Sequence, residues 1–139
     1  MPTRRQKKRP SRRHKTKLRT LWKTAWRLQS TWLRRSSTNA NGQAQCYTCY
    51  RWFDWHDLQA GHYIHGALDF DLDNLKPQCP HCNHHLHGNL GAYAEHLTRN
   101  YGLAWLMTLR QTAAQVKNGY KRADLEASIS RYRELLAKM

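Results

Sequence analysis

The first 53 residues contain no aspartate or glutamate; Asp54 is the first carboxylate of the chain. The same stretch carries fifteen lysines and arginines, whereas residues 54–139 hold nine basic and nine acidic side chains. The formal charge of +15 over 139 residues therefore sits at one end. Such a block implies a polyanionic partner, most simply nucleic acid. Also missing is any run of the roughly 18–20 apolar residues that a membrane span requires. No apolar core follows the basic N-terminus, so it does not read as a secretory signal. Cysteine is scarce, at four residues. Without export to an oxidising compartment, these are expected to be metal ligands or free thiols rather than disulfides. There is no internal repeat. The neutral remainder can bury only a modest core, so a metal or a partner is expected to help hold it.

Residues 1–17 (MPTRRQKKRPSRRHKTK) offer nine basic side chains, two prolines and no large apolar residue beyond Met1. They are expected to form a disordered basic arm. Residues 18–35 place Leu18, Leu21, Trp22, Ala25, Trp26, Trp32 and Leu33 on one helical stripe, with Arg19, Lys23, Arg27 and Arg34 mostly off it. This predicts a helix apolar on one side and cationic on another, its tryptophans packing on a core or a partner. The expected DNA contacts are Arg4, Arg5, Lys7, Lys8, Arg9, Arg12, Arg13, Lys15 and Lys17 in the arm, with Arg19, Lys23 and Arg27 on the helix. They would hold phosphates without reading bases. Residues 36–45 read as a polar linker, 46–90 as the chemical core and 91–139 as a helical region. Within the last, residues 92–100 and 103–116 look helical, split at Gly102. A final helix starts near residue 122, with Leu125, Ile129, Tyr132 and Leu136 along one face.

Cys46-Tyr-Thr-Cys49 and Cys79-Pro-His-Cys82 are two CxxC pairs separated by 29 residues. Each pair brings two sulfurs to one side of a tight turn, and two such turns complete a tetrahedral thiolate site for zinc. A closed four-sulfur shell leaves no open position, so this zinc is expected to be structural. Aromatic-rich WFDW and QAGHYIH suggest short strands between the pairs.

Gly61-His62, Asn74 and Cys82-Asn83-His84-His85-Leu86-His87 lie between and just after the cysteine pairs. Their order resembles the HNH, or ββα-metal, nuclease motif. The arrangement is similar to the endonuclease VII type of phage Holliday-junction resolvase, which also has two zinc-binding CxxC pairs. Over roughly residues 46–136, CYTCYRWFDWHDLQAGHY and NLKPQCPHCNHHLHGNLGAY resemble the NinG (Rap) recombination proteins of lambdoid phages. The resemblance implies a mostly helical α+β protein: a small zinc-stapled ββα-metal core flanked by a basic amphipathic helix and C-terminal helices. It further implies an endonuclease cutting branched DNA, Holliday junctions included, in the bacterial host cytoplasm, with other phage recombination proteins as partners.

The residues themselves support hydrolytic chemistry. A neutral imidazole can take a water's proton, which makes His62 the expected general base. A divalent cation, magnesium or manganese, can stabilise the phosphorane charge and the leaving oxygen. Asn83 offers an oxygen ligand, and His87, four residues on, shares its face if residues 80–88 are helical. His85 is a further ligand or phosphate contact, matching a His of the NinG pattern. Asn74 is expected to hold the His62 loop by hydrogen bonding. Many HNH enzymes carry an acid or His directly before the base, where this chain has Gly61; Asp57, Asp69, Asp71 and Asp73 are the alternative carboxylates. His14, His56, His65 and His96 read as structural or solvated. Symmetric cleavage of a junction needs two active sites, so a homodimer is expected, with residues 18–35 and the C-terminal helices as its surfaces. The rival expectations are a less selective HNH duplex endonuclease or nickase, and a non-catalytic zinc module that binds nucleic acid.

Overall fold

The apolar stripe of the basic segment requires a partner, and it finds one at the far end of the chain. In the computed structural model, which describes residues 12–117 and 119–139 and side chains from residue 17 onward, helix α1 spans Arg12–Ser36. It packs along helix α4 (Arg122–Ala137), Ala25 and Leu28 meeting Leu125, Ile129 and Tyr132. Gln29 is enclosed between them, its Nε2 donating to the Phe70 carbonyl at 2.8 Å and to the Tyr132 hydroxyl at 3.2 Å.

Two expectations are corrected here. The helix begins at Arg12 and not Leu18, so residues 12–17 belong to it, while Arg4, Arg5, Lys7, Lys8 and Arg9 lie outside the described residues. The apolar faces of α1 and α4, expected to be dimer surfaces, cover each other within one chain.

Two antiparallel hairpins carry the central chemistry. The first pairs β1 (Gln43–Gln45) with β2 (Trp52–Asp54), so the expected linker over residues 36–45 ends in a strand. The second pairs β3 (Gln59–His62) with β4 (Leu75–Gln78), Gln59 opposite Gln78 and His62 opposite Leu75. Leu33 of α1 packs on Ala60 and Leu75, fixing the basic helix against this hairpin. Helices α2 (Leu90–Tyr101) and α3 (Leu103–Gln115) follow, broken where Gly102 takes φ +94°, a backbone conformation side chains resist. Tyr63, Leu68, Tyr93, Leu97, Leu106 and Leu109 form their shared core. Among the described residues no helix is long and apolar enough to cross a membrane.

The α1–α4 contact joins the two ends of the chain, so its loss should be felt globally. Leu125 is 1% exposed at its centre. Leu125→Ala is expected to cost about 2–5 kcal/mol, read as a lowered urea midpoint by circular dichroism. An unchanged midpoint would show that α4 contributes nothing to the stability of α1.

Candidate active site and metal centre

The first CxxC is the loop of the β1–β2 hairpin, and the second begins where β4 ends. Backbone bonds from Cys46 N to Arg51 O (2.9 Å) and from Tyr50 N to Cys46 O (3.0 Å) tighten the first into a knuckle. Tyr50 pays for the sharp reversal with φ +62°. In the second, Cys82 N donates to the Cys79 sulfur at 3.4 Å. The sulfurs of Cys46, Cys49, Cys79 and Cys82 all lie within 4.8 Å of one another, and Cys49 and Cys79 are 3.9 Å apart. A tetrahedral zinc with bonds of about 2.3 Å would set its sulfurs about 3.8 Å apart. The four cysteines are thus placed to hold a metal ion such as zinc. Burial pushes the Cys79 thiol up to about 12, whereas at Cys46 burial is outweighed by hydrogen bonds that bring it to about 6. Sulfurs this crowded ionise together only around a cation.

His62 closes β3 beneath helix α1. Its ring stacks on Trp26, centroids 4.8 Å apart and planes 19° from parallel. Its Nε2 lies 3.1 Å from the Asp69 carbonyl oxygen, which can only accept. In the neutral ring Nε2 therefore carries the proton and Nδ1 is bare. Burial lowers the His62 pKa below the ordinary imidazole value; the Asp69 carbonyl and carboxylate, the latter 3.6 Å from Nε2, pull the other way and lose.

Asn74 is fully buried and binds the loop after His62 at both ends of its amide. Its Oδ1 accepts from Ile64 N at 2.7 Å; its Nδ2 donates to the carbonyls of Ile64 at 2.9 Å and Leu68 at 3.2 Å. Asn83 lies across a cleft of about 470 Å³ from His62, with Trp26, Ser30, Arg34, Gln59 and His65 among the other walls. Its Nδ2 donates to Gln59 Oε1 at 2.9 Å. His65 and Asn83 also border an adjoining recess of about 540 Å³ that holds His84, His85 and His87.

The expected helix over residues 80–88 is not formed. One π-helical turn (His81–His85) is followed by His87 at φ +51°, Gly88 at +94° and Asn89 at +48°. His87 therefore reaches the recess from a left-handed turn and does not sit one helical turn beyond Asn83. Outside the cysteines, no three His, Cys, Asp or Glu ligand atoms converge as a metal cluster among the described residues.

Three residues have site positions that their sequence signals did not reveal, and one of the candidate carboxylates is singled out. His65, read as structural or solvated, joins the cleft to the recess. Trp26, read as packing, is the stacking partner of His62. Asp69 is the carboxylate beside His62, whereas Asp71 accepts from Asp73 N at 2.9 Å. Arg34 lines the cleft from α1. Only the spacing of Arg34 from the basic row of the helix pointed that way. His96 is structural, its Nδ1 2.7 Å from the Tyr47 carbonyl and its ring stacked on Tyr50. His56 is exposed and pairs with Asp54. Of the expected DNA contacts, Lys17, Arg19, Lys23 and Arg27 are all exposed on α1; the side chains of Arg12, Arg13, His14 and Lys15 lie outside the description.

The family model for the bacteriophage lambda NinG protein matches residues 2–139, which is nearly the whole chain. The chain belongs to the NinG family. No curated protein and no solved structure is matched.

The geometry also accounts for the glycine before His62 in this NinG-family chain. A Cβ on Gly61 would stand 1.8 Å from Gln78 Oε1. Gln78 is fully buried, its Nε2 donating to Thr48 Oγ1 at 3.0 Å and to the Gly88 carbonyl at 2.9 Å, so it cannot swing away. The slot where an acid would sit is already filled.

Two outcomes follow. Gly61→Ala should destabilise the protein by about 1–3 kcal/mol through overpacking, and Gly61→Ala with Gln78→Ala should recover part of that loss. Additive costs in denaturant titrations would refute the collision. Cys79→Ser should lose bound zinc, measured by metal analysis, and unfold the central hairpins; a folded, zinc-free Cys79→Ser protein would show that the four sulfurs are not a structural site.

Proposed function

We propose that this NinG-family chain is a metal-dependent endonuclease of the HNH type that cuts branched DNA, Holliday junctions foremost, in phage recombination. The observation that carries the reading is His62. A neutral imidazole with Nε2 committed to a carbonyl and Nδ1 bare borders a cleft that also holds Asn83, at the foot of a cationic helix. His62 Nδ1 takes the proton of the attacking water. Trp26 and the Asp69 carbonyl hold the ring in one orientation and one tautomer, and Asn74 fixes the loop that supplies that carbonyl. Lys17, Arg19, Lys23 and Arg27 hold the phosphate backbone along α1.

Magnesium or manganese at a phosphate is commonly held by few protein groups, with water and substrate oxygens completing the shell, and the cleft, its adjoining recess and the nearby Asp69 offer oxygen and imidazole donors. Asn83 and a carboxylate or imidazole among Asp69, His65, His85 and His87 would hold it. When bound, the cation would neutralise charge on the phosphorane and the departing 3′ oxygen. Paired cuts across a junction require two active sites, so the acting species is a homodimer.

Cleavage of a synthetic four-way junction and of its component duplexes, in magnesium or manganese, tests this reading. The junction should be cut preferentially, and His62→Ala should lower the rate about 10²–10⁴-fold with junction binding near wild type. Equal rates on duplex would make the protein an unselective nuclease or nickase, and persistent cleavage without His62 would remove it as base. The pH profile is a separate check. Activity requires neutral His62 and falls as pH drops through its pKa, so the acid limb should lie below about 6.5. Trp26→Ala, which admits water to the ring, should move that limb upward; a fixed limb would mean that another group titrates.

A further inference from the structure

Helix α1 brings more than exposed charge to the cleft. Arg19, Lys23, Arg27, Ser30 and Arg34 recur at spacings of four or three residues and so lie along one helical face. The first three are exposed, whereas Ser30 and Arg34 are half-buried and line the cleft with His62 and Asn83. The row of positive charge therefore runs along the helix and ends inside the candidate site.

Arg34 is held for this position. Its Nε donates to the Ser30 carbonyl at 3.1 Å, and its Nη1 donates to the carbonyls of Leu58 at 3.2 Å and Trp55 at 3.4 Å. The guanidinium also lies 5.4 Å from the centre of the Trp55 ring. No carboxylate pairs with it among the described residues. A half-buried cation with no counter-ion is costly, and burial accordingly lowers its pKa. The three bonds use Nε and Nη1, leaving the two hydrogens of Nη2 with no protein acceptor among the described residues. A fixed guanidinium with a free N–H pair facing a cleft is suited to a phosphate oxygen.

We propose that Arg34 binds a backbone phosphate of the DNA strand lying in the cleft, as the innermost member of a phosphate track along α1. The assignment rests on the nucleic-acid reading of the cleft and deepens it. Arg34 grips the strand beside the bond that His62 addresses, and α1 sets the direction in which the strand enters.

The test is equilibrium binding of a labelled four-way junction to the full chain across a salt series, without added magnesium or manganese. Arg34→Gln should weaken binding about tenfold, as loss of one charged hydrogen-bonded contact does, and make the log–log salt slope shallower by about one. Arg99→Gln, which removes an exposed charge from α2, should leave both unchanged. A folded Arg34→Gln protein with wild-type affinity and slope overturns the proposal. Should that variant fail to fold, Arg34→Lys keeps the charge and allows a second measurement. Single phosphates of the junction are replaced by neutral methylphosphonates, and one replacement should cost the wild type about tenfold but cost Arg34→Lys distinctly less. Equal costs in both proteins at every position overturn the proposal. Both measurements read binding alone. They hold or fail whether or not the wild type cuts DNA, so absence of cleavage would sink the nuclease reading only.

Discussion

The four sulfurs are the constraint on which the rest of the site depends. Two-stranded hairpins are marginal in water, and these two have little apolar surface of their own, Ala44 and Leu58 being the main buried neighbours of the cysteines. Drawing the β1–β2 knuckle onto the end of β4 replaces the missing core with a cluster that can hold a metal ion. The consequences run outward residue by residue. Gln78 precedes Cys79, and its amide is trapped between Thr48 of the first knuckle and the Gly88 carbonyl. That amide fills the space over Gly61. Gly61 in turn accepts from the Tyr93 hydroxyl at 2.9 Å, which ties β3 to α2. His62 comes next. The histidine thus inherits its place from the sulfur cluster through a short series of close contacts.

Helix α1 supplies the other half of the site. It is held on one side by α4 and on another by Ala60 and Leu75 of the second hairpin. Between these contacts Trp26 reaches His62, and Trp22 stacks on Trp26 with centroids 5.7 Å apart. A helix whose charge faces solvent and whose aromatic edge rests on the imidazole links the cationic row to the histidine mechanically. A change in how α1 seats would alter the hydration of His62 as well as the direction of the cationic row.

Local periodicity made the helices and the metal ligands legible in the sequence. The CxxC pairs, the apolar stripes of α1 and α4 and the stop at Gly102 each depend on neighbours within a few residues. The order His62, Asn74, Asn83 was also visible, because those residues border the cysteine frame. What stayed hidden was set by long-range contact or unusual backbone. Gln29 bonds Tyr132, 103 positions away, and no local pattern announces that α1 and α4 will cover each other. The role of Trp26 depends on the same tertiary arrangement. His87 was misplaced because three successive residues with positive φ (His87, Gly88 and Asn89) replace the expected helix. Each is a type that tolerates that conformation better than most, but no local pattern announces three in a row. Arg34 looked like one more surface charge, and only the folded chain brings the Trp55 and Leu58 carbonyls onto its guanidinium.

The glycine at position 61 bears on the chemistry as well as the packing. A carboxylate side chain bonded directly to the imidazole would favour the protonated ring. Here the nearer acceptor is the main-chain carbonyl of Asp69, at 3.1 Å, while its carboxylate stands back at 3.6 Å. The carbonyl orients the ring and fixes its tautomer, and burial outweighs the upward pull of that bond and of the carboxylate behind it. The balance favours the form with Nδ1 free, which is the state a general base needs before the reaction starts. On the proposed reading, a main-chain carbonyl from the loop seven residues on orients the ring while burial keeps the base neutral. The buried Gln78 beside Gly61 leaves no room there for a side chain of any kind.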